Sequence, residues 1–594
     1  MEHFEKPGHL LLVFFLSLIS INLSTASTTK EGEALVKWKS SLAPSPFLSS
    51  WSLTNLTSLC TWTGIICNSA GSVSEIDLSR KELNGTLAEF DFNSFSNLNS
   101  FTIRNNHFMG HVPPGVENST KLQYLDFGNN NLSGSIPYQI SHLQELRTLD
   151  LSDNHLEASN WSNFSPMPFL TTLSLGWNNL ASKFPKFISN CHNLTSLDLS
   201  FNKLRGDLGR AWAFNKLHKL EFLNIRSNSF EGPFPPGIVN LSKLRTLDIG
   251  YNHFSGSIPD DIRMLSDLEA LYLCSNSFKG TIPSSIGQLT KLQILHLYDN
   301  YLNSSIPLDL RFLTNLKFLY LYNNSLAGNI PSQLGLLTYL EEIQLFSNNL
   351  TGNIPSDIGN LKLLTYLLLN SNQLTGQLPE ELSNLSNLLV LGLNDNKLSG
   401  TIPIDFWKKL SLSHIDFANN LFSGNISKDI NFQGFSYINL SGNRFTGEIP
   451  TTICKATFLS LLDLSNNGLS GALPRCFGLA DQLYSVNLGD NQFRGTIPTS
   501  FTKSCSLTIL NMYNNHFEGP LPQALANLSP SQKVKNDDED DAVNEFHWEM
   551  VLMGYGIGLK KLEQMTLAKE KTEEMLKEKE EALRLMEEEL ETRG

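Results

Sequence analysis

Cysteine and positive charge are both scarce in this sequence. Only 7 of the 594 residues are cysteine, and 44 Lys and Arg residues face 58 Asp and Glu residues, for a formal net charge of -14. Proteins that bind nucleic acid neutralise phosphates with clustered Lys and Arg, and no such basic stripe is visible here. The composition therefore argues against nucleic acid as a partner.

Patterns of catalytic residues are also missing. No glycine-rich phosphate loop is followed by the Lys and Asp residues that a kinase needs, and His and Ser residues do not cluster as in a hydrolase. His296 and His414 lie in strand-like segments, where a structural imidazole is the ordinary interpretation. We therefore expect no enzyme, no catalytic residues, no metal site and no cofactor.

The beginning of the chain resembles a secretory signal. A largely apolar run from Leu10 to Ile19 follows His3 and Lys6, and small residues lead up to Ala26. This pattern predicts a signal peptide over residues 1–26 that is cleaved after Ala26. An uncleaved membrane anchor is the alternative, but the apolar run falls short of the ~20 residues that a spanning helix needs.

Asn-x-Ser/Thr triplets are abundant after this segment, which agrees with export, although repeats built on Asn and Ser generate some of them by chance. The predicted glycosylation acceptors are Asn55, Asn84, Asn118, Asn131, Asn160, Asn163, Asn193, Asn240, Asn303, Asn323, Asn349, Asn384, Asn425, Asn439 and Asn527.

A repeat of about 24 residues fills most of the chain, a period within the range of leucine-rich repeats. The unit Leu244 to Pro259 reads L-x-x-L-x-I-x-x-N-x-F-x-G-x-I-P, and the unit Leu268 to Pro283 keeps the same pattern. A first, degenerate unit has Lys81 in the asparagine slot. That slot is filled by Asn106, Asn130, Asn154, Asn178, Asn202, Asn228, Asn252, Asn276, Asn300, Asn324, Asn348, Asn372, Asn396, Asn420, Asn443, Asn467, Asn491 and Asn515.

Each position of the repeat has a physical role. The last two leucines alternate with period two, so they point inward from a short strand, and stacked strands form a parallel sheet. The asparagine amide is expected to bond backbone groups of its own coil and of the next coil. Glycine and the Ile-Pro pair favour an extended path, which makes long helices on the convex side improbable.

These roles predict an α/β fold, a leucine-rich-repeat solenoid. We expect a curved right-handed superhelix with a parallel β-sheet on the concave face, short 3-10 or irregular segments on the convex face, and an N-terminal helical cap. A cap is physically required, because the first coil would otherwise expose its apolar edge to water.

The phrase L-x-G-x-I-P, as at Leu350 to Pro355, resembles the plant-specific class of leucine-rich repeats in receptor kinases and receptor-like proteins. The resemblance covers about residues 73–522. Upstream, the amphipathic stretch Glu31 to Leu42 and the Cys60 to Cys67 segment resemble the N-terminal cap of those receptors. We therefore expect the cap over residues 27–72 and about 19 repeats over residues 73–530.

Four cysteines are predicted to form disulfides. In an oxidising compartment we expect Cys60 to bridge Cys67, and the rival metal site lacks histidine partners at ligand spacing. Similar receptors carry cysteines in the slots of Cys454 and Cys476, and this resemblance implies a second bridge. Partners are not evident for Cys191, Cys274 and Cys505.

The repeat pattern stops before residue 531. Residues 531–559 resemble the acidic juxtamembrane segment of the family with a truncated apolar stretch, about eleven residues where a bilayer needs ~20. The resemblance therefore implies membrane association, but this chain contains no complete transmembrane helix. Residues 560–594 are predicted to form a charged amphipathic helix, with a coiled coil as an alternative. A genuine variant and a faulty gene model are both compatible with this end.

Two solvent-facing columns flank the last leucine of each strand motif. Most repeats place small polar residues there, such as Asp198 and Ser200. Repeats nine to thirteen depart from this pattern, and their aromatic residues at these positions lie in repeats nine to twelve. Exposed Tyr side chains favour binding sites, because they combine an apolar face with a polar tip. Rings that pack on each other along the sheet are the alternative. The predicted ligand-binding residues are Tyr272, His296, Tyr298, Tyr320, Tyr322, Gln344 and Phe346.

The family resemblance implies a cell-surface receptor-like protein of the plasma membrane or apoplast. Such a protein binds an extracellular peptide, protein or microbial or wall-derived ligand on its concave face and signals through a co-receptor kinase, in defence or development. One alternative is a secreted apoplastic inhibitor similar to polygalacturonase-inhibiting proteins, which usually have about half as many repeats. Another is a scaffolding wall protein.

Overall fold

The computed structural model describes residues 29–208, 214, 216–409, 412–476, 482–500 and 507–519. The predicted signal peptide, the acidic segment and the C-terminal amphipathic helix lie outside these residues, as do Cys505 and Asn527.

A helix over residues 29–41, here α1, opens the described chain. Leu35, Trp38 and Leu42 are spaced as on one helical face, and all three are buried. The Trp38 ring meets the Phe90 ring edge-on at 4.9 Å, and its indole N–H donates a 2.9 Å hydrogen bond to the Thr86 carbonyl. Helix α1 therefore covers the apolar edge of the first coils, as expected of a cap.

A disulfide joins Cys60 and Cys67, whose Cα atoms are 5.4 Å apart. It closes the loop that leads into the first strand, which pairs antiparallel with the second strand through Ile65 and Ile76.

The concave sheet contains twenty of the strands found in the described residues. After the antiparallel first pair, every later pairing is parallel and joins equivalent slots, such as Leu247 with Leu271 and Leu271 with Leu295. This register buries one row of apolar side chains, most of them leucines, along nearly the whole array. The strands are β1 (Ile65–Cys67), β2 (Val73–Asp77), β4 (Ser100–Thr102), β6 (Tyr124–Asp126), β8 (Thr148–Asp150), β10 (Thr172–Ser174), β11 (Ser196–Asp198), β13 (Phe222–Asn224), β15 (Thr246–Asp248), β17 (Ala270–Tyr272), β19 (Ile294–His296), β21 (Phe318–Tyr320), β23 (Glu342–Gln344), β25 (Tyr366–Leu368), β27 (Val390–Gly392), β29 (His414–Asp416), β31 (Tyr437–Asn439), β33 (Leu461–Asp463), β35 (Ser485–Asn487) and β37 (Ile509–Asn511).

The repeated asparagine ties each coil to its neighbour. The Asn276 amide nitrogen donates to the carbonyls of Leu273 and Cys274 in its own coil and to that of Ile249 in the preceding coil, at 3.0 to 3.2 Å. Its amide oxygen accepts from the Phe254 N–H, also in the preceding coil, at 2.9 Å. The expectation that the partner would be the next coil is thus wrong for this side chain, because the turn that holds Asn276 packs against the turn of the coil before it.

A second row of short parallel strands follows the asparagine, a feature that the sequence patterns did not predict. It is formed by the x-x-G segment of the repeat, in which Gly280 adopts a φ of 83°, a conformation that glycine tolerates without a steric penalty. The strands are β3 (Asn84–Thr86), β5 (His107–Gly110), β7 (Asn131–Ser135), β9 (His155–Glu157), β12 (Arg205–Asp207), β14 (Ser229–Pro233), β16 (His253–Gly256), β18 (Ser277–Gly280), β20 (Tyr301–Ser304), β22 (Ser325–Asn329), β24 (Asn349–Gly352), β26 (Gln373–Gly376), β28 (Lys397–Thr401), β30 (Leu421–Asn425), β32 (Arg444–Gly447), β34 (Gly468–Gly471), β36 (Gln492–Gly495) and β38 (His516–Phe517).

Short 3-10 helices follow this second row in most coils, which confirms the expected convex side. A typical one, Ser284–Gln288, starts directly after Pro283, whose φ of -67° suits the entry to a helical turn. A short α-helix, α2 (Ile404–Lys409), takes this place in one coil. Within the described part of the chain, no helix is both long and apolar enough to cross a bilayer.

Replacing Asn276 with Ala should lower the free energy of unfolding by about 2–4 kcal/mol. The change leaves the buried Phe254 N–H without a partner, at a cost of ~1–3 kcal/mol, and removes one of the two amide donors of the Ile249 carbonyl, at ~0.5–1.5 kcal/mol. Urea denaturation of the secreted full chain measures the difference. The control is Asn353→Ala, which removes an exposed asparagine of the convex side. Equal losses in the two variants would contradict the role assigned to Asn276.

Candidate ligand-binding face

The sheet register places the predicted binding residues on adjacent rungs of the concave face. In the first column Tyr272 pairs with His296, His296 with Tyr320, and Tyr320 with Gln344. Tyr298, Tyr322 and Phe346 follow two residues later in three successive coils and form the second column. The seven residues together are named the aromatic strip.

The rings of the aromatic strip stack along both columns. Ring centroids in the second column are 4.4 Å apart between Tyr298 and Tyr322 and 4.3 Å apart between Tyr322 and Phe346, with planes within 10° of parallel. In the first column His296 stacks on Tyr320 at 4.1 Å. Neighbouring strands lie ~4.8 Å apart, close to the separation of stacked rings. The spacing between strands therefore places rings on successive strands at stacking distance.

The aromatic strip is less exposed than the sequence predicted. Tyr298 and Gln344 are buried, at 8% and 9% exposure, and the other five residues are half-buried. The reason is the stacking itself, because each ring covers the faces of its neighbours. Ladder packing, the alternative considered from the sequence, is therefore present. The strip is a stacked, partly exposed surface on the sheet. Its contacts with a ligand remain a prediction.

The tyrosine hydroxyls of the strip remain neutral. Burial raises the pKa of Tyr298, Tyr320 and Tyr322 well above the usual range, and the Tyr320 hydroxyl donates a hydrogen bond to the Glu342 carboxylate. Burial also raises the pKa of the Cys274 thiol, to about 11. These groups can donate and accept hydrogen bonds, but near pH 7 they supply neither a phenolate nor a thiolate.

An arginine borders the strip on its N-terminal side and was missed in the sequence. Arg226 lies 3.4 Å from the Asp248 carboxylate, 4.3 Å from the centroid of the Tyr251 ring and 3.8 Å from the Cys274 sulfur. The next coil has Gly250 in the same column, which leaves room for the long side chain. An arginine followed 24 residues later by a glycine is the signal that would have found it.

The same pattern occurs nearer the N-terminus. Arg104 reaches over Gly128, where an added Cβ would lie 2.7 Å from the guanidinium, to bond Asp126 at 3.2 Å and Asp150 at 2.5 Å. Arg104 and Arg226 therefore both have carboxylate partners in later coils.

The strip gives way to polar residues on its C-terminal side. Asp416 accepts hydrogen bonds from the Ala418 N–H and the Tyr437 hydroxyl, each at 3.0 Å, and from the Asn439 amide at 3.3 Å. Burial raises the pKa of this carboxyl to about 7, and the three hydrogen bonds offset part of that increase. All three donors are neutral.

Charged residues beside the strip are partly engaged with their neighbours. Lys317 lies 3.6 Å from Glu341, and the Gln344 amide donates to Glu342 at 3.2 Å. His414, the other strand histidine, is buried beside Ser413, and burial lowers its pKa to about 4. His414 is therefore neutral at ordinary pH, as a structural imidazole would be.

A second disulfide joins Cys454 and Cys476, whose Cα atoms are 5.6 Å apart, while Cys191 and Cys274 are free and buried. In the described ranges, no three His, Cys, Asp or Glu side chains are grouped to hold a metal ion.

Most predicted glycosylation acceptors lie on exposed positions. Asn193 and Asn439 are half-buried, and the Asn439 amide already bonds Asp416 on the concave face. The exposed acceptors are Asn55, Asn84, Asn118, Asn131, Asn160, Asn163, Asn240, Asn303, Asn323, Asn349, Asn384 and Asn425.

The raised pKa of Asp416 predicts a pH-dependent stability. An unfolded Asp titrates near ~4, so between pH ~4 and ~7 the folded state keeps a proton that the unfolded state has lost. The free energy of unfolding should therefore fall as pH rises through this window. Asp416→Asn should remove the contribution of this carboxyl to the decrease in the free energy of unfolding. The difference in free energy of unfolding between the variant and the unaltered protein should therefore shift in favour of the variant as pH rises from ~4 to ~7.

Urea denaturation across this pH range provides the measurement, with Asp463→Asn as the control. Asp463 occupies the equivalent strand slot two coils later but is half-buried, and it accepts a similar backbone bond from Ser465 at 2.9 Å. An unchanged pH profile in Asp416→Asn would show that Asp416 titrates normally.

Comparisons with known proteins agree with this architecture. A model of the leucine-rich-repeat N-terminal domain matches residues 29–68. Leucine-rich-repeat models match residues 96–156 and 144–204 and nine further segments between residues 219 and 528.

Among curated proteins, a probable leucine-rich repeat receptor-like protein kinase of Arabidopsis thaliana is 39% identical over 111 residues, which is 18% of this chain and 10% of the relative. The MDIS1-interacting receptor like kinase 2 of the same plant is 35% identical over 124 residues, 20% of this chain and 12% of the relative. The matched segments thus span about a tenth of the length of these relatives.

Solved ectodomains match over a much larger share. The leucine-rich-repeat ectodomain of the Arabidopsis receptor kinase HAESA, in complex with the peptide hormone IDA, has a TM-score of 0.69 and 30% identity, covering 85% of this chain and 92% of its own. A TDR receptor has a TM-score of 0.63 and 27% identity, covering 78% of this chain and 92% of its own. The capped repeat array and its match to nearly all of a receptor ectodomain show that the chain belongs to the family of plant leucine-rich-repeat receptors.

Proposed function

We propose that this protein is a cell-surface receptor-like protein that binds an extracellular peptide on its concave face and signals through a co-receptor kinase, in defence or development. The aromatic strip carries this proposal. It is the stretch of the concave columns where large, partly exposed rings replace small polar residues over consecutive coils. Contiguous apolar area of this kind marks interaction sites on exported proteins.

The strip suits a peptide better than a small buried ligand. It lies on an open sheet face, and its rings are held by stacking on both sides, so little conformational freedom is lost when a ligand packs on them. An extended peptide can lie along such a surface and meet several coils at once.

The solved relatives support the same ligand class. HAESA is described in complex with the peptide hormone IDA, and in another structure with IDA and the co-receptor SERK1. That structure covers 84% of this chain at 30% identity. The co-receptor kinase proposed here rests on this similarity.

The proposed location is the extracellular face of the plasma membrane or the apoplast, after removal of a signal peptide over residues 1–26. The two disulfides support an oxidising compartment, and the exposed Asn-x-Ser/Thr triplets are where glycans would be attached.

Panning the secreted full chain against a random dodecapeptide phage library tests the proposal. We expect enriched peptides whose synthetic forms lose about tenfold or more in affinity when Tyr298 and Tyr322 are both replaced by Ala, because the rings on which they pack are gone. Tyr301→Ala is the matched control, since Tyr301 is 65% exposed on a strand of the second row.

Circular dichroism and the urea midpoint show whether the double variant keeps its fold. A library that yields no enriched peptide would overturn the proposed function. Peptides that bind the folded double variant as tightly as the unaltered protein would remove the aromatic strip from the site.

A further inference from the structure

The concave face has no Lys or Arg side chains in its columns beyond the aromatic strip's N-terminal border. Four positions of each coil line this face, equivalent to Ala270, Tyr272, Cys274 and Ser275. Over residues 270–514 these positions hold no Lys or Arg. They hold six carboxylates, which are Asp299, Glu342, Asp395, Asp416, Asp463 and Asp490. A ligand that lies along this stretch meets a surface of one sign, and opposite charge on the ligand complements it.

Two buried amide oxygens mark the place on this stretch where a positively charged hydrogen-bond donor of a ligand would find unsatisfied acceptors. Asn370 and Asn394 occupy the second column in successive coils, directly after the aromatic rings, and their coils are joined by the Ser371 N–H bond to the Asn394 carbonyl at 2.9 Å. The side-chain oxygen of each is buried without a hydrogen-bond donor, and Asn370 is only 4% exposed. Buried acceptors are ordinarily satisfied, so each is a place for an incoming donor.

Two carboxylates adjoin these oxygens and have only neutral donors among their hydrogen-bond partners in the structure. Asp395 accepts from the Asn394 amide at 2.7 Å and from the Asn419 amide at 2.8 Å. Asp416 lies one coil further in the first column, and its partners are an N–H, a hydroxyl and an amide. On the same face, Asp126 and Asp248 occupy the slot of Asp416 in earlier coils and have arginine partners, whereas the hydrogen-bond partners of Asp416 are all neutral.

We propose that the acceptor cluster, formed by Asn370, Asn394, Asp395 and Asp416, binds a cationic group of the peptide ligand while an apolar residue of the same peptide packs on the aromatic strip. The cation is an Arg or Lys side chain or a free amino terminus. This inference rests on the proposed function and adds the chemical class of the peptide.

The geometry sets the spacing of the two ligand groups. Phe346 and Tyr322 lie two and three coils before Asn394, or ~10 to ~14 Å at ~4.8 Å per rung. An extended peptide advances ~3.3 Å per residue, so the apolar residue and the cation should be about three or four residues apart. Burial raises the pKa of Asp416 to about 7, and a cation bound beside this carboxyl would favour its ionised form.

Asn substitutions test the acceptor cluster with little disturbance of the fold. The chain itself has asparagine at both equivalent positions of the following coil. Asn419 is the equivalent of Asp395, and Asn439 is the equivalent of Asp416. The test variant is Asp395→Asn with Asp416→Asn. The matched control is Asp153→Asn with Asp198→Asn, which changes the same two slots in coils nearer the N-terminus.

The probes are synthetic dodecapeptides from the panning experiment, each made with a free and with an acetylated amino terminus, and with each Lys or Arg replaced by norleucine. Enriched peptides should carry a cation about three or four residues from an aromatic or branched apolar residue. Removing that cation should cost about tenfold in affinity for the unaltered protein and for the control variant, but less than about threefold for the test variant.

Acetylation alone distinguishes the sources of the cation, because it affects only peptides that use their amino terminus. Enriched peptides that are neutral or acidic, or an equal loss in the test and control variants, would overturn the acceptor cluster. Such peptides would leave the proposed function intact as long as they still depend on Tyr298 and Tyr322, whereas a library without enriched peptides overturns both.

Discussion

Each coil of this protein is joined to the coil before it by one asparagine side chain. The amide of Asn276 satisfies a backbone N–H of the preceding coil that would otherwise be buried without a partner, and it gives a carbonyl of that coil a second donor. Because the same bonds recur along the array, they fix the stacking distance and the register together. The inward leucines can then close into one continuous core, since every coil presents the same row at the same height.

The concave surface takes its dimensions from this regular stacking of coils. Rings on successive rungs are brought to 4.3 and 4.4 Å, so Tyr298, Tyr322 and Phe346 stack without any ligand. The same spacing lets Arg226 reach the carboxylate and sulfur of later coils. Side chains on the concave face therefore interact mainly along a column, and the character of a region depends on several consecutive coils.

Much of this organisation could be read from the sequence, because the period places every leucine, asparagine and column residue in register. The second row of strands could not, since it depends on backbone pairing between glycine-containing segments, and the pattern shows only that they are extended. The burial of Tyr298 was missed because exposure was judged for single residues, whereas neighbours one period away cover them. The unsatisfied oxygen of Asn370 and the purely neutral partners of Asp416 could be found only from the positions of all surrounding donors, which no motif records.

The side chains that hold the coils together and those that face the concave surface are separate sets within each repeat. Exchanging a column residue leaves the leucines and the asparagine untouched, and adding or deleting a whole 24-residue unit keeps all later coils in register. Evolution can therefore alter what such a surface recognises, or lengthen it, while the scaffold remains foldable at each step. Duplicated genes of this architecture can diverge in specificity through a few substitutions along one face.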